Sequence, residues 1–321
     1  MKVVLAGGSG QVGTILARAL HADGHKPVVI SRKPNSALWQ TVQWDGRALG
    51  PWAAEIDGAD VVINLAGRSV NCRYNAENRR QMMDSRVDST RAVGEAIAAA
   101  ARPPKVWLQA STATIYAHRY DAPNDDVTGL IGGDEPDAPE TWRFSIEVAK
   151  AWEQAASEAD TPKTRKVLMR SAMTMSPDRG GIFDVMLGLV RMGLGGTAGS
   201  GKQYISWIHD QDFIRSVYWL IEHEELSGAI NISSPNPLPN REFMRIFRDA
   251  WGTRIGLPAK EWQLAIGAFL MRSETELILK SRRVVPKLLT DSGFEFEFPQ
   301  WQDAARDLCR RWRRSAETRP A

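Results

Sequence analysis

Three glycines, Gly7, Gly10 and Gly13, recur at every third position in the run Gly7-Gly8-Ser9-Gly10-Gln11-Val12-Gly13. The run follows the apolar residues Val3 to Ala6 and opens a segment of helical period, Gln11–Ala22. Each glycine answers its own requirement: a turn with positive φ, a bare backbone against a diphosphate, and close packing of helix on strand. A helix starting there turns unpaired N–H groups and its positive dipole end toward an anion. The chemistry implied is capture of a dinucleotide by Gly7, Ser9, Gly10, Gln11, Val12 and Gly13, with a turn of incidental glycines as the bland alternative. The next apolar segment ends Ser31-Arg32-Lys33, and no acid follows before Asp45. An acid at that place binds a ribose 2′-hydroxyl; a guanidinium matches a phosphate instead, and a carboxylate would repel one. The expected cofactor is NADP(H), with Ser31, Arg32 and Lys33 around the 2′-phosphate, unless Arg32 is only a surface charge after a strand.

Such residues need a frame to hold them. Lys2–Ala6, Pro27–Ser31, Val42–Trp44, Val61–Leu65, Val106–Ala110 and Val167–Arg170 read as strands. Gln11–Ala22, Asn75–Ala101 and Thr141–Glu158 read as the helices between them. Alternation of this kind predicts an α/β protein with a Rossmann-like, doubly wound parallel sheet. Ile205–Ile208 and Ala229–Ile232 read as further strands, Asp210–Glu222 as a helix, and the chain from Pro239 onward as mostly helical. The domains expected are residues 1–175 plus about 203–234 for the nucleotide, and about 176–202 with 235–321 for a smaller substrate region.

Composition narrows the class. The 321 residues are 43% hydrophobic and 25% charged, enough for a sizeable core. A formal charge of +3 argues against a nucleic-acid partner, and two cysteines make no disulfide framework. The apolar start leaves no room for a signal peptide, and the longest apolar run, Trp262 to Met271, is short for a span of ~20 residues. The expectation is a cytoplasmic protein without membrane or nucleic-acid partners that binds a small molecule.

Further motifs widen the picture: Trp44-Asp45, Ile63-Asn64-Leu65-Ala66-Gly67, Ser85-Arg86-Val87 with Thr90, and Phe144 leading to Trp152-Glu153. Gly180-Gly181, Gly199 to Gln203, Ser206 to His209 with Asp212, Val285-Pro286, Gly293-Phe294 and Phe298-Pro299 follow. With the glycine loop, these make the chain resemble an extended short-chain dehydrogenase/reductase of the atypical, epimerase-like branch that ends in a small domain of unknown function. The resemblance covers almost the whole chain. It implies cofactor contacts from Leu65, Ala66 and Gly67, from Arg86, and from Ser111 and Thr174 at the nicotinamide end. For Arg86 the structural alternative is an i,i+4 ion pair. Extended relatives are often dimers, which makes a homodimer the state implied.

Relatives with established chemistry carry a Ser/Thr and a Tyr-x-x-x-Lys, the lysine lowering the pKa of a phenol that otherwise titrates near ~10. Alignment places Thr112 on the catalytic hydroxyl, but Ile146 stands four residues before Lys150. Thr112 is therefore the leading catalytic candidate and Tyr116 the second, with a buried structural ring as the alternative for Tyr116. His209 and Asp212 are expected to tie loops to the sheet. Two function classes remain open: an NADP-dependent epimerase-like oxidoreductase on a small polar substrate such as a nucleotide sugar, or a catalytically silent NADP-binding regulator, a class linked in this family to cell division.

Other signals are weaker. Gly196 to Lys202 spells most of a Walker A loop, yet Gln203 replaces the Mg²⁺-binding hydroxyl, so ATP is rejected and the loop becomes a flank of the substrate cleft. His21 and His25 have metal spacing, but Gly24 lies between them and Asp23 is the only acid beside them, so a fraying helix end is expected there and no metal. The acid-rich stretch from Ala117 to Glu140 reads as a mobile loop, a candidate substrate lid. Of the twelve tryptophans, Trp152 and Trp207 are expected nearest the ligand groove.

Overall fold

The computed structural model describes residues 1–34, 36–264 and 274–317. The apolar run Trp262 to Met271 lies outside the described residues beyond Leu264. In chain order the strands are β1 (Lys2–Ala6), β2 (Lys26–Ser31), β3 (Gln40–Gln43), β4 (Val61–Asn64), β5 (Val106–Thr112), β6 (Arg165–Ser171), β7 (Met173–Met175), β8 (Tyr204–Ile205), β9 (Trp207–His209), β10 (Gly228–Ile232) and β11 (Leu238–Pro239). The helices are α1 (Gln11–Ala22), α2 (Ala76–Ala99), α3 (Glu140–Glu158), α4 (Ile182–Arg191), α5 (Asp210–Glu222) and α6 (Asn240–Trp251), then α7 (Glu276–Leu279), α8 (Lys287–Asp291) and α9 (Trp301–Glu317).

Seven strands form one sheet in the order β10-β6-β5-β4-β1-β2-β3. The pairs from β3 across to β6 are parallel, with Ala6 level with both Ile30 and Asn64, and Asn64 level with Gln109. β1 and β4 are buried along almost their whole length, as strands covered on both faces must be. This is the Rossmann-like parallel sheet that the strand–helix alternation predicts. The strand order reverses between β1 and β4, where such sheets leave a crevice beyond their carboxyl ends.

The chain divides into two compact units. The first is Met1–Ile115, Phe144–Ser171 and Ile214–Ile230; the second is Tyr116–Arg143, Ala172–Phe213 and Asn231–Ala321. These divisions differ from the expected ones chiefly in giving 116–143 and 203–213 to the second unit. The reason is local pairing: β9 pairs with the short β7, and β8 with β11, so neither joins the large sheet.

Each unit has its own core. In the first, Val4, Val28, Ile30, Val62, Val93, Ile97 and Trp107 pack between sheet and helices. In the second, α4, α6 and α9 close on Phe183, Phe243, Phe247, Trp301 and Trp312. Phe243 and Trp301 stack with centroids 4.0 Å apart. Trp207 is fully buried against Trp301, its indole N–H donating to the Asn236 carbonyl. It is therefore a core residue, which corrects the expectation that it lines a ligand groove.

Candidate functional site

The first unit gathers most of the predicted residues at the carboxyl ends of β1, β2, β4 and β5. Gly7 turns the chain at φ +72 and donates to the Ile30 carbonyl. A Cβ on Gly7 would lie 2.5 Å from Ala66 Cα, and one on Gly13 would lie 2.3 Å from the Gly8 carbonyl oxygen. Gly10 differs from both. It caps α1 at φ −77 and ψ 176, a conformation open to any residue, and a Cβ there would meet nothing within 4 Å. Nothing in the fold demands glycine at that position, and the start of α1 is left open on that side. Gln11 adjoins it with a buried, unpartnered side-chain N–H₂.

At the end of β2, Ser31 is 4% exposed, and its hydroxyl has no partner among the described residues. Arg32 and Lys33 follow on the surface. A buried hydroxyl without a partner is costly to the fold, and one beside two cations is a ready anion contact.

After β4 the chain runs through Leu65, Ala66 and Gly67 as an irregular strap. Asn64, fully buried, fixes its start: its Oδ1 accepts the Ala66 amide at 3.0 Å, while its Nδ2 donates to Gln109 and Thr90. The sequence reading gave Asn64 no role, although a buried Asn ending a strand was the available signal. Arg86, on α2, lies under Gly67, with its guanidinium 4.9 Å from the Trp152 ring centroid and one N–H on the Met82 carbonyl. No carboxylate pairs with Arg86 among the described residues, which removes the ion-pair alternative. Burial pulls the guanidinium down to about 10, countered by the nearby Tyr74 and Cys72. Trp152 presents a buried indole N–H, also without a partner.

At the end of β5 two adjacent hydroxyls are bonded in opposite senses. Ser111 donates to Glu153 Oε1 at 2.5 Å, and Arg170 holds both oxygens of the same carboxylate at 2.8 Å. Thr112 instead accepts the Thr114 amide at 3.1 Å, which leaves its own proton free to donate. On α3, Ile146 is buried and Lys150 is exposed. The neighbouring Ser145 meets the hydroxyl of Tyr74, a ring packed edge-on to Phe144, at 3.4 Å.

Tyr116 and Thr174 lie in the second unit. Thr174 sits on β7, level with Ile208. Tyr116 is 2% exposed and donates to Asn231 Oδ1 at 2.9 Å. His209 stacks on Phe298 and bonds Asp307 at 3.2 Å, and burial first of all keeps its pKa low. Asp212 accepts the amides of Glu297 and Phe298. The acid-rich stretch is not a slack loop. Asp125 accepts the Val127 and Thr128 amides, Asp126 those of Asn231 and Leu288, and Glu135 those of His118 and Gly133. These acids terminate backbone N–H groups, which their charge alone could not reveal.

Residues 3–233 match the NAD dependent epimerase/dehydratase family. The chain belongs to that family. Residues 263–308 match a domain of unknown function, DUF1731, the C-terminal piece that its motifs resemble. The chain is 30% identical over 313 residues to "Epimerase family protein SDR39U1" of Homo sapiens, covering 96% of this chain and 99% of that one. The crystal structure of the human protein with NADPH matches with a TM-score of 0.84 over 97% of this chain and 99% of that chain, at 29% identity. A nucleoside-diphosphate sugar epimerase from Corynebacterium glutamicum matches with a TM-score of 0.74 at 27% identity, over 97% of this chain and 58% of the other. Among the described residues no helix is long and apolar enough to cross a membrane.

Proposed function

We propose that this chain binds NADP(H) in its first unit and acts as an epimerase-like oxidoreductase on a small polar substrate of the nucleotide-sugar kind. The observation that carries the reading is the open face of Gly10 at the start of α1, together with the buried Ser31 hydroxyl that has no partner among the described residues and precedes Arg32. The human relative crystallised with NADPH supports it. Gly7 to Gly13 would hold the diphosphate, Ser31, Arg32 and Lys33 the 2′-phosphate, and Leu65 to Gly67 with Arg86 the span between.

Bound NADP(H) would supply hydride transfer. Thr112, whose hydroxyl keeps a free proton, is the residue we assign to the substrate oxygen; it donates a hydrogen bond and orients the carbinol or carbonyl. Ser111, turned toward Glu153, would line the nicotinamide end. Tyr116 ranks behind Thr112 for proton transfer, because its phenol is already given to Asn231. The catalytically silent regulator keeps one observation on its side: an apolar Ile146 where active relatives place a phenol.

The test is a titration of full-length protein with NADPH and NADH, followed by nicotinamide fluorescence, with wild type and Arg32→Ala. NADPH should bind tighter, and loss of one charged contact, worth ~1.5–3 kcal/mol, should weaken NADPH by at least ~tenfold while sparing NADH. NADH binding as tight as NADPH would overturn the cofactor assignment. Turnover of a nucleotide sugar that Thr112→Val abolishes supports the enzyme; NADPH binding without turnover of any such substrate supports the regulator.

A further inference from the structure

Within the second unit, His118 stands at the head of the acid-rich stretch with its two ring nitrogens in different circumstances. The Ser281 backbone amide donates to Nδ1 at 2.9 Å, so that nitrogen carries no proton. A neutral imidazole then holds its hydrogen on Nε2. Burial, then the charges of Lys280 and Arg282, hold the His118 pKa below its usual value against the opposing pull of Glu135, so the ring is neutral near pH 7. Among the described residues nothing accepts from Nε2, and that atom is not buried.

The surroundings are built, not incidental. Glu135 accepts the His118 amide at 3.0 Å, and Ser281 Oγ accepts the Tyr204 amide and donates to the Arg119 carbonyl. Trp142 lies 4.8 Å from the imidazole, tilted by 43°, and Tyr120 meets it edge-on at 5.0 Å, 46% exposed. Arg283 covers Tyr204 at 4.6 Å and donates to the Tyr120 carbonyl. An unburied, neutral N–H donor beside the rings of Trp142 and Tyr120 suits an uncharged ring bearing oxygen acceptors.

We propose that His118 is a ligand-contacting residue, its Nε2–H donating to an oxygen of a sugar or pyrimidine ring seated against Trp142 and Tyr120. This rests on the reading of the chain as a nucleotide-sugar enzyme, and it names the residue that recognises one ring of that substrate.

The experiment uses full-length protein labelled with ¹⁵N-histidine. NADPH is titrated first, then UDP-glucose, UDP or glucose 1-phosphate in separate samples, with long-range ¹H–¹⁵N correlation spectra recorded near pH 7.5. His118 should show the Nε2–H tautomer and a saturable shift with UDP-glucose. A matching response to glucose 1-phosphate assigns the hexose, and one to UDP assigns the pyrimidine. His118→Phe should weaken UDP-glucose by about tenfold, as loss of one neutral hydrogen bond does, while His118→Gln retains a donor and most of the affinity. Melting temperature and NADPH binding report folding of both variants. An Nδ1–H tautomer, UDP-glucose binding (by calorimetry) that leaves the His118 signals unmoved, or wild-type UDP-glucose affinity in His118→Phe overturns the proposal alone; no binding of any of the three compounds with NADPH bound overturns the nucleotide-sugar reading with it. Failure of NADPH itself to bind overturns the functional reading and this inference with it.

Discussion

Replacing Gly10 by alanine separates a ligand's demand from the fold's. The backbone at Gly10 is extended, and a new Cβ would meet nothing within 4 Å. Alanine caps a helix less well than glycine, but it also lowers the entropy of the unfolded chain, and the two effects leave a net change within ~1 kcal/mol. The melting temperature should therefore move by less than ~4 °C. Gly7→Ala is a different substitution within the same motif: its φ is +72, and the Cβ would sit 2.5 Å from Ala66 Cα. Left-handed backbone costs ~1–2 kcal/mol and overpacking a further ~1–3, a loss of roughly 5–20 °C. Gly10→Ala should nonetheless weaken NADPH by at least ~tenfold, or ~1.4 kcal/mol, because its methyl occupies the approach of the diphosphate. Differential scanning fluorimetry and calorimetric titration of the two variants decide it. A Gly10→Ala protein that binds NADPH like wild type, or melts as early as Gly7→Ala, refutes the reasoning.

Glu153→Gln leaves Arg170, 12% exposed at its side chain, without its carboxylate; a loss of ~3 kcal/mol and a melting shift near ~6–12 °C are expected, and a shift below ~2 °C would count against the ion pair as an anchor of β5. Lys280, 2% exposed, is pulled by burial down to about 7, with Arg282 adding to the effect. Above that value the unfolded chain holds more protons than the folded one, so stability should rise with pH, by at most ~1.4 kcal/mol per unit between about pH 7 and 8.5. Urea unfolding of Lys280→Met should lose that slope, and parallel slopes would exclude Lys280 as its source. Cys309, raised by burial to about 12, offsets the rise once the unfolded thiol ionises and so sets the upper end of the window. Arg86→Met should leave the apo protein at least as stable in fluorimetry while weakening NADPH; a large destabilisation would reassign Arg86 to the framework.

The parallel sheet was legible because β1, β2, β4 and β5 are short apolar runs, and burial on both faces admits little else. The turn at Gly7 was legible for a related reason: its residues are contiguous, and its conformation depends on neighbours in the chain. What sequence could not yield was partnership across distance. Asn64 meets Gln109 and Thr90, and Ser111 meets Glu153 and Arg170, through registers that exist only once β4, β5 and β6 pair. Trp207 looked like a groove residue because its motif carries family resemblance, yet its burial against Trp301 explains the tryptophan fully. The acids between Ala117 and Glu140 looked solvated because their charge was visible and the amides they accept were not.

The charges near the strand ends differ in their compensation, and that difference bears on function. Arg170 is matched oxygen for oxygen by Glu153 and contributes little net field. Arg86 has aromatic and carbonyl neighbours but, among the described residues, no anion, and its lowered pKa records the burial that this arrangement imposes. A guanidinium left uncompensated in a low-dielectric setting destabilises the empty protein and strengthens attraction to any anion that arrives. Arg32, exposed, offers the same charge without the burial. The two arginines would therefore act differently toward NADP(H) under the proposed function: Arg32 would discriminate for the 2′-phosphate, whereas Arg86 would contribute affinity that salt screens weakly. Raising ionic strength should erode the NADPH preference set by Arg32 well before it erodes the binding that depends on Arg86.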